Sequence, residues 1–143
     1  MARIDKAPEG GKFRATAAAA LDGVAGAWGD GEFLNVGVDG NGELVVGTAP
    51  DTVGFIVTSE GQDADAAANK DAIGGRVYTV FFQCEIVEAS TFTAPTVSAG
   101  DELWAIAAGD IATTGTLGDI FMGYVLSGAE RVVIMVHSRP VSP

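Results

Sequence analysis

The residues that could do chemistry are few and widely spaced in this chain. His137 is the single histidine, and it follows an apolar run near the C-terminal end. No Ser or Cys has the surroundings of an activated nucleophile, so one chain lacks the parts of a catalytic triad. A zinc site would need more Cys and His ligands than one chain carries. We therefore predict no catalytic residue, no cofactor and no metal, and interpret His137 as a strand-end residue.

Paired acidic residues and one acidic turn are the remaining candidates for a reactive site. Asp101 and Glu102 are adjacent, and neighbouring side chains in a strand point to opposite faces, so these carboxyl groups would not converge on a sugar. Residues 39–43, Asp-Gly-Asn-Gly-Glu, have acidic or amide groups at alternate positions, as a calcium loop has. The glycine and glutamate spacing of an EF-hand is missing. A hairpin turn is the better interpretation.

Short apolar runs separated by glycines and turn residues predict an all-β chain built of small β-barrel or β-sandwich modules. The Asp-Gly and Asn-Gly pairs at 39–42 predict a hairpin between strands at 32–38 and 43–48. Residues 60–75 are polar and alanine-rich, which predicts a projecting loop with a helical turn at 64–69. The other expected strands are 52–59, 76–88, 102–107, 111–113, 120–126 and 131–137.

Two parts of the chain, residues 32–88 and 100–139, have similar strands in the same order, which predicts a degenerate internal repeat. The first members of the matching strands differ in position by 70, 69 and 55 residues. The register therefore holds until the loop at 60–75 interrupts the first copy. The matching segments are 32–36 with 102–106, 53–57 with 122–126, and 76–80 with 131–135.

Composition and charge narrow the classes of function. The length of 143 residues fits one compact domain or two small β-modules that share a core. Since 48% of the residues are hydrophobic and 19% are charged, we expect extensive burial in the fold or between subunits. The apolar runs are far shorter than the roughly 20 residues that cross a bilayer. The net charge is −11, and no Lys or Arg lies between Arg14 and Lys70, so we expect neither a nucleic-acid nor a membrane partner. No secretory signal is recognisable, so synthesis in a cytoplasm is expected, and the lone Cys84 cannot form an internal disulfide.

The first 14 residues differ in character from the rest. They hold four basic and two acidic residues, with Pro8 and Gly10-Gly11 and no hydrophobic periodicity. We predict an extended arm at 1–14 that lies outside a β-barrel-like body at 15–143. The aromatic residues are predicted mostly in the core. Trp28 lies among glycines and is a candidate exposed anchor at an interface, although packing in the core or a turn is the better interpretation of it. The candidate contact residues of the arm are Arg3, Ile4, Lys6, Lys12, Phe13 and Arg14.

The C-terminal part of the chain has a distinctive series of segments. Ser-Ala-Gly-Asp-Glu-Leu-Trp at 98–104 is followed by a Gly-Thr-rich turn, Ile-Phe-Met-Gly-Tyr-Val-Leu at 120–126 and a closing strand at 131–136. With these segments, residues 98–136 resemble the capsid decoration, or cement, proteins of tailed bacteriophages. The acidic loop at 60–75 departs from the compact form of that pattern, which leaves the exact topology open. The resemblance implies a small β-barrel, often a homotrimer at local threefold positions, that binds the major capsid protein and stabilises the head.

The leading hypothesis from the sequence is a structural virion protein on the outer capsid surface, attached through the basic arm. The alternative is a carbohydrate-binding or adhesion module on a phage or cell surface, because exposed aromatic residues on β-scaffolds often stack on sugars. Trp28 and Trp104 are its candidate residues. An enzyme or a metal-binding barrel ranks last because catalytic groups are scarce.

Overall fold

The computed structural model describes residues 3–5, 7–62, 70–89, 92, 94–126 and 131–136. These residues form β-strands and short 3₁₀ turns without an α-helix, which confirms the all-β prediction. The strands make two antiparallel sheets, one of five strands and one of six. The strands are β1 Arg3–Asp5, β2 Lys12–Thr16, β3 Phe33–Val38, β4 Leu44–Val46, β5 Gly54–Val57, β6 Val77–Phe81, β7 Gln83–Val87, β8 Glu102–Ala105, β9 Ile111–Ala112, β10 Ile120–Val125 and β11 Arg131–Met135.

The five-stranded sheet has the order β2-β6-β5-β3-β4 and curls back on itself. Ala17, just after β2, forms a parallel bridge to Leu44 in β4, and the Ala18 amide donates to the Leu44 carbonyl at 2.9 Å. The two outer strands are thereby brought together around an apolar interior. That interior consists of Ala17, Leu21, Leu34, Val36, Leu44, Ile56, Ala72, Tyr78 and Val80.

The predicted hairpin is confirmed between β3 and β4. The Asp39 carboxylate accepts hydrogen bonds from the backbone amides of Asn41, at 2.8 Å, and Glu43, at 3.0 Å. Gly42 has a φ of 78°, a conformation that glycine adopts without a Cβ penalty. The acidic and amide residues at 39–43 therefore close a turn, as their spacing predicted.

The six-stranded sheet has the order β1-β7-β11-β10-β8-β9 and packs against the outside of the curled sheet. Its inner face carries the buried alternate residues of each strand, such as Leu103 and Ala105 in β8 and Val132 and Ile134 in β11. These side chains share one cluster with Trp28, Phe33, Phe55 and Phe92. Most of the apolar core thus lies between the two sheets.

Both sheets have the same strand order. The order in the curled sheet is β2-β6-β5-β3-β4, and the order in the other sheet, after its additional edge strand β1, is β7-β11-β10-β8-β9. If each set of five is numbered along the chain, both orders read first, fifth, fourth, second, third. The segments predicted to repeat therefore hold corresponding places. The predicted register, however, matches fully buried Leu34 with Trp104, which is half-buried on the solvent side. The repeat in sequence stays a prediction.

The long strand predicted at 76–88 is wrong, because the chain changes sheets in its middle. β6 ends at Phe81 in the curled sheet, and β7 begins at Gln83 in the six-stranded sheet. At the bend, the Phe82 amide donates to the Gly11 carbonyl and the Phe82 carbonyl accepts from Val136. Residues 76–88 contain no Gly, Pro, Asn or Asp that would signal a turn, so only tertiary pairing reveals the break. The helical turn predicted at 64–69 lies outside the described residues.

The prediction of an arm outside the fold is also wrong for its described part. β1 pairs with β7 at one edge of the six-stranded sheet, and β2 pairs with β6 at one edge of the curled sheet. Ile4 packs against the core between the sheets. β1 is only three residues long, which is too short to show the alternation that identifies a strand in sequence. The N-terminal segment therefore supplies an edge strand to each sheet.

Candidate interaction surface

The part of the chain that the structure describes contains no group of three or more His, Cys, Asp or Glu side chains placed to hold a metal ion. It also contains no helix long and apolar enough to cross a membrane. His137, the sequence's only imidazole, lies outside the described residues. The described surface instead presents a basic sheet edge, an aromatic sheet face, a projecting leucine and an apolar groove.

The basic residues of the N-terminal segment are split between two sheet edges. Arg3 in β1 pairs with Glu88 at 3.0 Å, and Lys12 in β2 lies 3.9 Å from Glu9. Arg14 is exposed in β2. Such exposed pairs contribute little to stability, so these charges remain available for a partner. Lys6 lies outside the described residues.

The apolar residues of the same segment have different environments. Ile4 is half-buried against the core, which makes it structural. Phe13 is 37% exposed, and its ring lies 6.0 Å from that of Phe82. Of the two apolar residues predicted to contact a partner, only Phe13 is accessible on the surface.

β2 is the outermost strand on its side of the curled sheet, and among the described strands it pairs only with β6. The other side of an edge strand presents backbone N–H and C=O groups to which an extended segment can pair. Lys12 and Arg14 alternate with Phe13 along this edge. The edge therefore combines main-chain pairing groups with positive charge on one face and an aromatic ring on the other.

Trp28 is not an exposed anchor, contrary to the prediction. Its side chain is fully buried, with ring centroids 4.9 Å from Phe33 and 5.1 Å from Phe55. Its indole N–H donates to the Asn35 Oδ1 at 3.0 Å, and the Asn35 amide donates to the Asp110 carbonyl. The nearby glycines serve a tight turn, in which Trp28 and Phe33 form a bridge. Flanking glycines thus mark a sharp backbone turn here and say nothing about exposure.

Three aromatic rings lie on the solvent side of the six-stranded sheet. Phe121 lies 5.4 Å from Trp104 and 4.9 Å from Tyr124, both in edge-to-face geometry. Tyr124 is 43% exposed. The alternation of buried and less buried residues along β8, with Trp104 next to buried Leu103 and Ala105, was a sequence signal for this face. We call Trp104, Phe121 and Tyr124 the aromatic face.

Leu117 projects from the loop between β9 and β10 and is a feature that the sequence reasoning missed. It is 106% exposed, more than any other large hydrophobic residue described. The loop around it is braced, since the Thr116 amide and hydroxyl both donate to the Asp119 carboxylate, at 2.7 and 3.1 Å. A Cβ added at Gly115 would overlap the Trp104 ring, so the loop lies directly on the aromatic face.

An apolar groove lies at one end of the β7–β11 pair, in the other half of the same sheet. Phe82, Gln83, Met135 and Val136 line a cavity of about 240 Å³. A second depression of about 200 Å³ shares Gln83 and Met135 with it and extends to Pro8. Burial raises the pKa of the neighbouring Cys84 thiol to about 12, with a smaller contribution from the negative charge of Glu85. This cysteine therefore stays protonated and unreactive at neutral pH.

The fold and its surface define an all-β protein of two antiparallel sheets that presents edges and faces to partners. No protein-family model matches the chain, and the comparison with curated proteins finds no match. The structure is similar to a solved structure from Mycobacterium phage Patience, with a TM-score of 0.70 over 96% of each chain. The two sequences are 16% identical, so this likeness establishes a shared fold.

Proposed function

We propose that this chain is a structural protein of a bacteriophage virion that binds the outside of the capsid and stabilises the head. The observation that carries the proposal is the fold shared with a chain from a mycobacterial phage over 96% of both chains. The decoration-protein resemblance of residues 98–136 supports the finer assignment. The proposed partner is the major capsid protein, and homotrimers are the proposed form on the shell.

Attachment is proposed to use the edge strand β2. Residues 15–143 hold four basic and seventeen acidic residues, so the positive charges of Lys12 and Arg14 stand out against an acidic body. An acidic extended segment of the capsid protein would pair with the β2 backbone and place its carboxylates near these two side chains. Many copies on one lattice would add their small individual contributions to head stability.

The test mixes the purified full chain with undecorated heads and measures bound protein by co-sedimentation. Replacing both basic residues, Lys12→Gln with Arg14→Gln, lowers the net charge by two and is expected to weaken binding about tenfold or more. The control pair Ala25→Glu with Ala99→Glu changes the net charge equally at exposed sites away from β2 and should bind like the unmodified chain. Equal binding by the two paired variants would contradict the β2 assignment, and no binding by the unmodified chain would contradict the capsid assignment.

Carbohydrate binding is the second candidate function, and the aromatic face is the observation that favours it. Edge-exposed rings on a sheet can stack on the apolar faces of sugars, and Tyr124 is the most accessible of the three. A glycan array would test it with Tyr124→Ala as the disabling change. Phe13→Ala, an exposed aromatic elsewhere, is the matched control. The candidate gains support only from a signal that Tyr124→Ala abolishes and Phe13→Ala retains.

A further inference from the structure

We infer that copies of this chain associate head to tail, with Leu117 of one copy seated in the Phe82–Met135 groove of the next. The inference goes beyond the proposed function and is measured without heads, so either can fail alone. It rests on four properties of the described surface: Leu117 lies on a braced loop, the groove is large enough for a leucine side chain, the two are separated on the sheet, and an acidic residue lies near the leucine while a basic residue lies near the groove.

The leucine is presented at little entropic cost. Two hydrogen bonds from Thr116 to the Asp119 carboxylate and one from the Asp119 amide to the Thr116 carbonyl hold the loop on its own. The Trp104 ring lies against Gly115 and supports the loop from below. Because the backbone of the loop is already ordered, only the side-chain rotamers of Leu117 lose freedom when a partner covers it. Leu117 therefore has the properties of an interface anchor.

The groove matches that anchor in size and chemistry. Its volume of about 240 Å³ accommodates a leucine side chain, and Phe82, Met135 and Val136 give it apolar walls. Phe13 packs against Phe82 beside it. Burying a leucine among such residues removes apolar surface of both partners from water, which favours association.

The two features cannot meet within one chain. Leu117 lies on the loop over Trp104 in β8, whereas the groove opens beside β7 and β11. β8 and β7 are three positions apart in the sheet, about 14 Å at ordinary strand spacing. The contact must therefore join two copies through two different patches, and such heterologous contacts produce closed rings or open chains.

Charge favours a second copy as the occupant of the groove. The loop that carries Leu117 contains Asp119, and Glu102 faces Tyr124 in the adjoining strand pair. Lys12, on β2, pairs in register with Phe81 next to the groove, and Glu9, 3.9 Å from Lys12, and Glu85, in the neighbouring depression, offset part of its positive charge. Attraction between the acidic loop of one copy and Lys12 of the next favours this orientation and makes the association weaken with salt.

The first experiment measures self-association of the full chain by sedimentation equilibrium over a range of concentrations. Leu117→Asp is expected to raise the dissociation constant about 10- to 100-fold, the range that corresponds to one lost buried leucine. Val38→Asp is the control, because Val38 is also an exposed aliphatic residue in a different sheet. Circular dichroism melts confirm that both variants fold. An unchanged dissociation constant for folded Leu117→Asp would overturn the inference.

The second experiment tests the head-to-tail arrangement. Gln83→Trp fills the groove but keeps Leu117, whereas Leu117→Asp removes the anchor but keeps the groove. Each variant alone should be monomeric, and their mixture should form a one-to-one dimer and nothing larger. A mixture that stays monomeric, or that forms larger species, overturns the arrangement.

The third experiment addresses the chain's own C-terminal residues as occupant. If the unmodified chain is monomeric at high concentration but associates once residues 137–143 are removed, that segment fills the groove and the second-copy inference is overturned. Association of the unmodified chain that the truncation leaves unchanged supports the inference.

Discussion

Gly54-Phe55 in β5 and Gly123-Tyr124 in β10 hold corresponding places in two sheets of the same strand order, yet their aromatic rings have opposite environments. Phe55 is fully buried between the sheets, and Tyr124 is 43% exposed. The curled sheet has an apolar interior on one side and the six-stranded sheet on the other. The six-stranded sheet packs one face on the core and turns its aromatic face to solvent.

The difference shows that strand order does not decide which faces of a sheet become core. A sheet face is buried only if another layer covers it, and in this chain one sheet covers the other. The last layer is left with an outward face that no further sheet in the described part of the chain covers. This is the face from which Leu117 projects, so the arrangement that completes one core also creates the surface available to a partner.

The largest expected effect is a difference in stability between variants of the two aromatic residues. Phe55→Ala should lower the free energy of unfolding by about 3–5 kcal/mol, because it opens a cavity between the sheets. Tyr124→Ala should lower it by only about 0.5–1 kcal/mol, since this ring is largely in water already. Urea denaturation measures both. Similar losses for the two variants would mean that the two sheet faces are equally buried in solution.

The next effect concerns a feature that both sheets share, a glycine whose Cα lies close to a carbonyl group of the neighbouring strand. A Cβ at Gly54 would overlap the Phe81 carbonyl, and a Cβ at Gly123 would overlap the Val133 carbonyl of the neighbouring strand. Gly54→Ala and Gly123→Ala should therefore each cost about 2 kcal/mol of stability. Gly40→Ala, where the added methyl meets no atom within 4 Å, is the control and should be close to neutral in the same denaturation experiment. A neutral Gly123→Ala would contradict the close strand contact.

A pH effect tests whether the inner face of the six-stranded sheet is dry. Burial disfavours the thiolate and, with a smaller contribution from the charge of Glu85, raises the pKa of the Cys84 thiol from its ordinary value of 9.0 to about 12. Its stabilising contribution is therefore complete below pH 9 and is lost as the pH rises towards 12. Stability should fall by about 1.4 kcal/mol between pH 8 and pH 10 from this group alone.

Cys84→Ala isolates that contribution, because it removes the thiol and leaves the other titrating groups. The variant should show a flatter pH dependence than the unmodified chain in matched denaturation curves at pH 8 and pH 10. Identical slopes for the two proteins would show that water reaches the thiol.

The smallest effect concerns the two braced turns. Asp39→Ala removes the acceptor of two backbone amides in the curled sheet, and Asp119→Ala removes the acceptor of Thr116 in the six-stranded sheet. Each should cost about 0.5–1 kcal/mol by thermal or urea unfolding, because the lost bonds lie near solvent. Only Asp119→Ala should also weaken self-association, since it frees the loop of Leu117. Equal self-association of the two variants would mean that the loop of Leu117 is not part of the interface between copies.

Much of the strand pattern was predictable from local residue chemistry. The Asp-Gly and Asn-Gly pairs located the hairpin, and alternation located β5, β8, β10 and β11 close to their observed bounds. The break at Phe82 was not predictable, because both halves of the run at 76–88 are good strands and only their partners differ. The burial of Trp28 was not predictable either, since it lies between Ala27 and Gly29 and no local feature indicates that a second sheet will cover it.

The amino-acid sequence by itself determined the β character, the turn positions, the acidic body and the basic N-terminal segment, because these follow from residue types and short-range geometry. Tertiary structure alone decided that the N-terminal residues complete both sheets, that Trp28 is core, and that Leu117 and the Phe82 groove face solvent in different halves of one sheet. Pairing between distant strands depends on contacts that no short window of sequence contains, and burial depends on what those pairings leave uncovered.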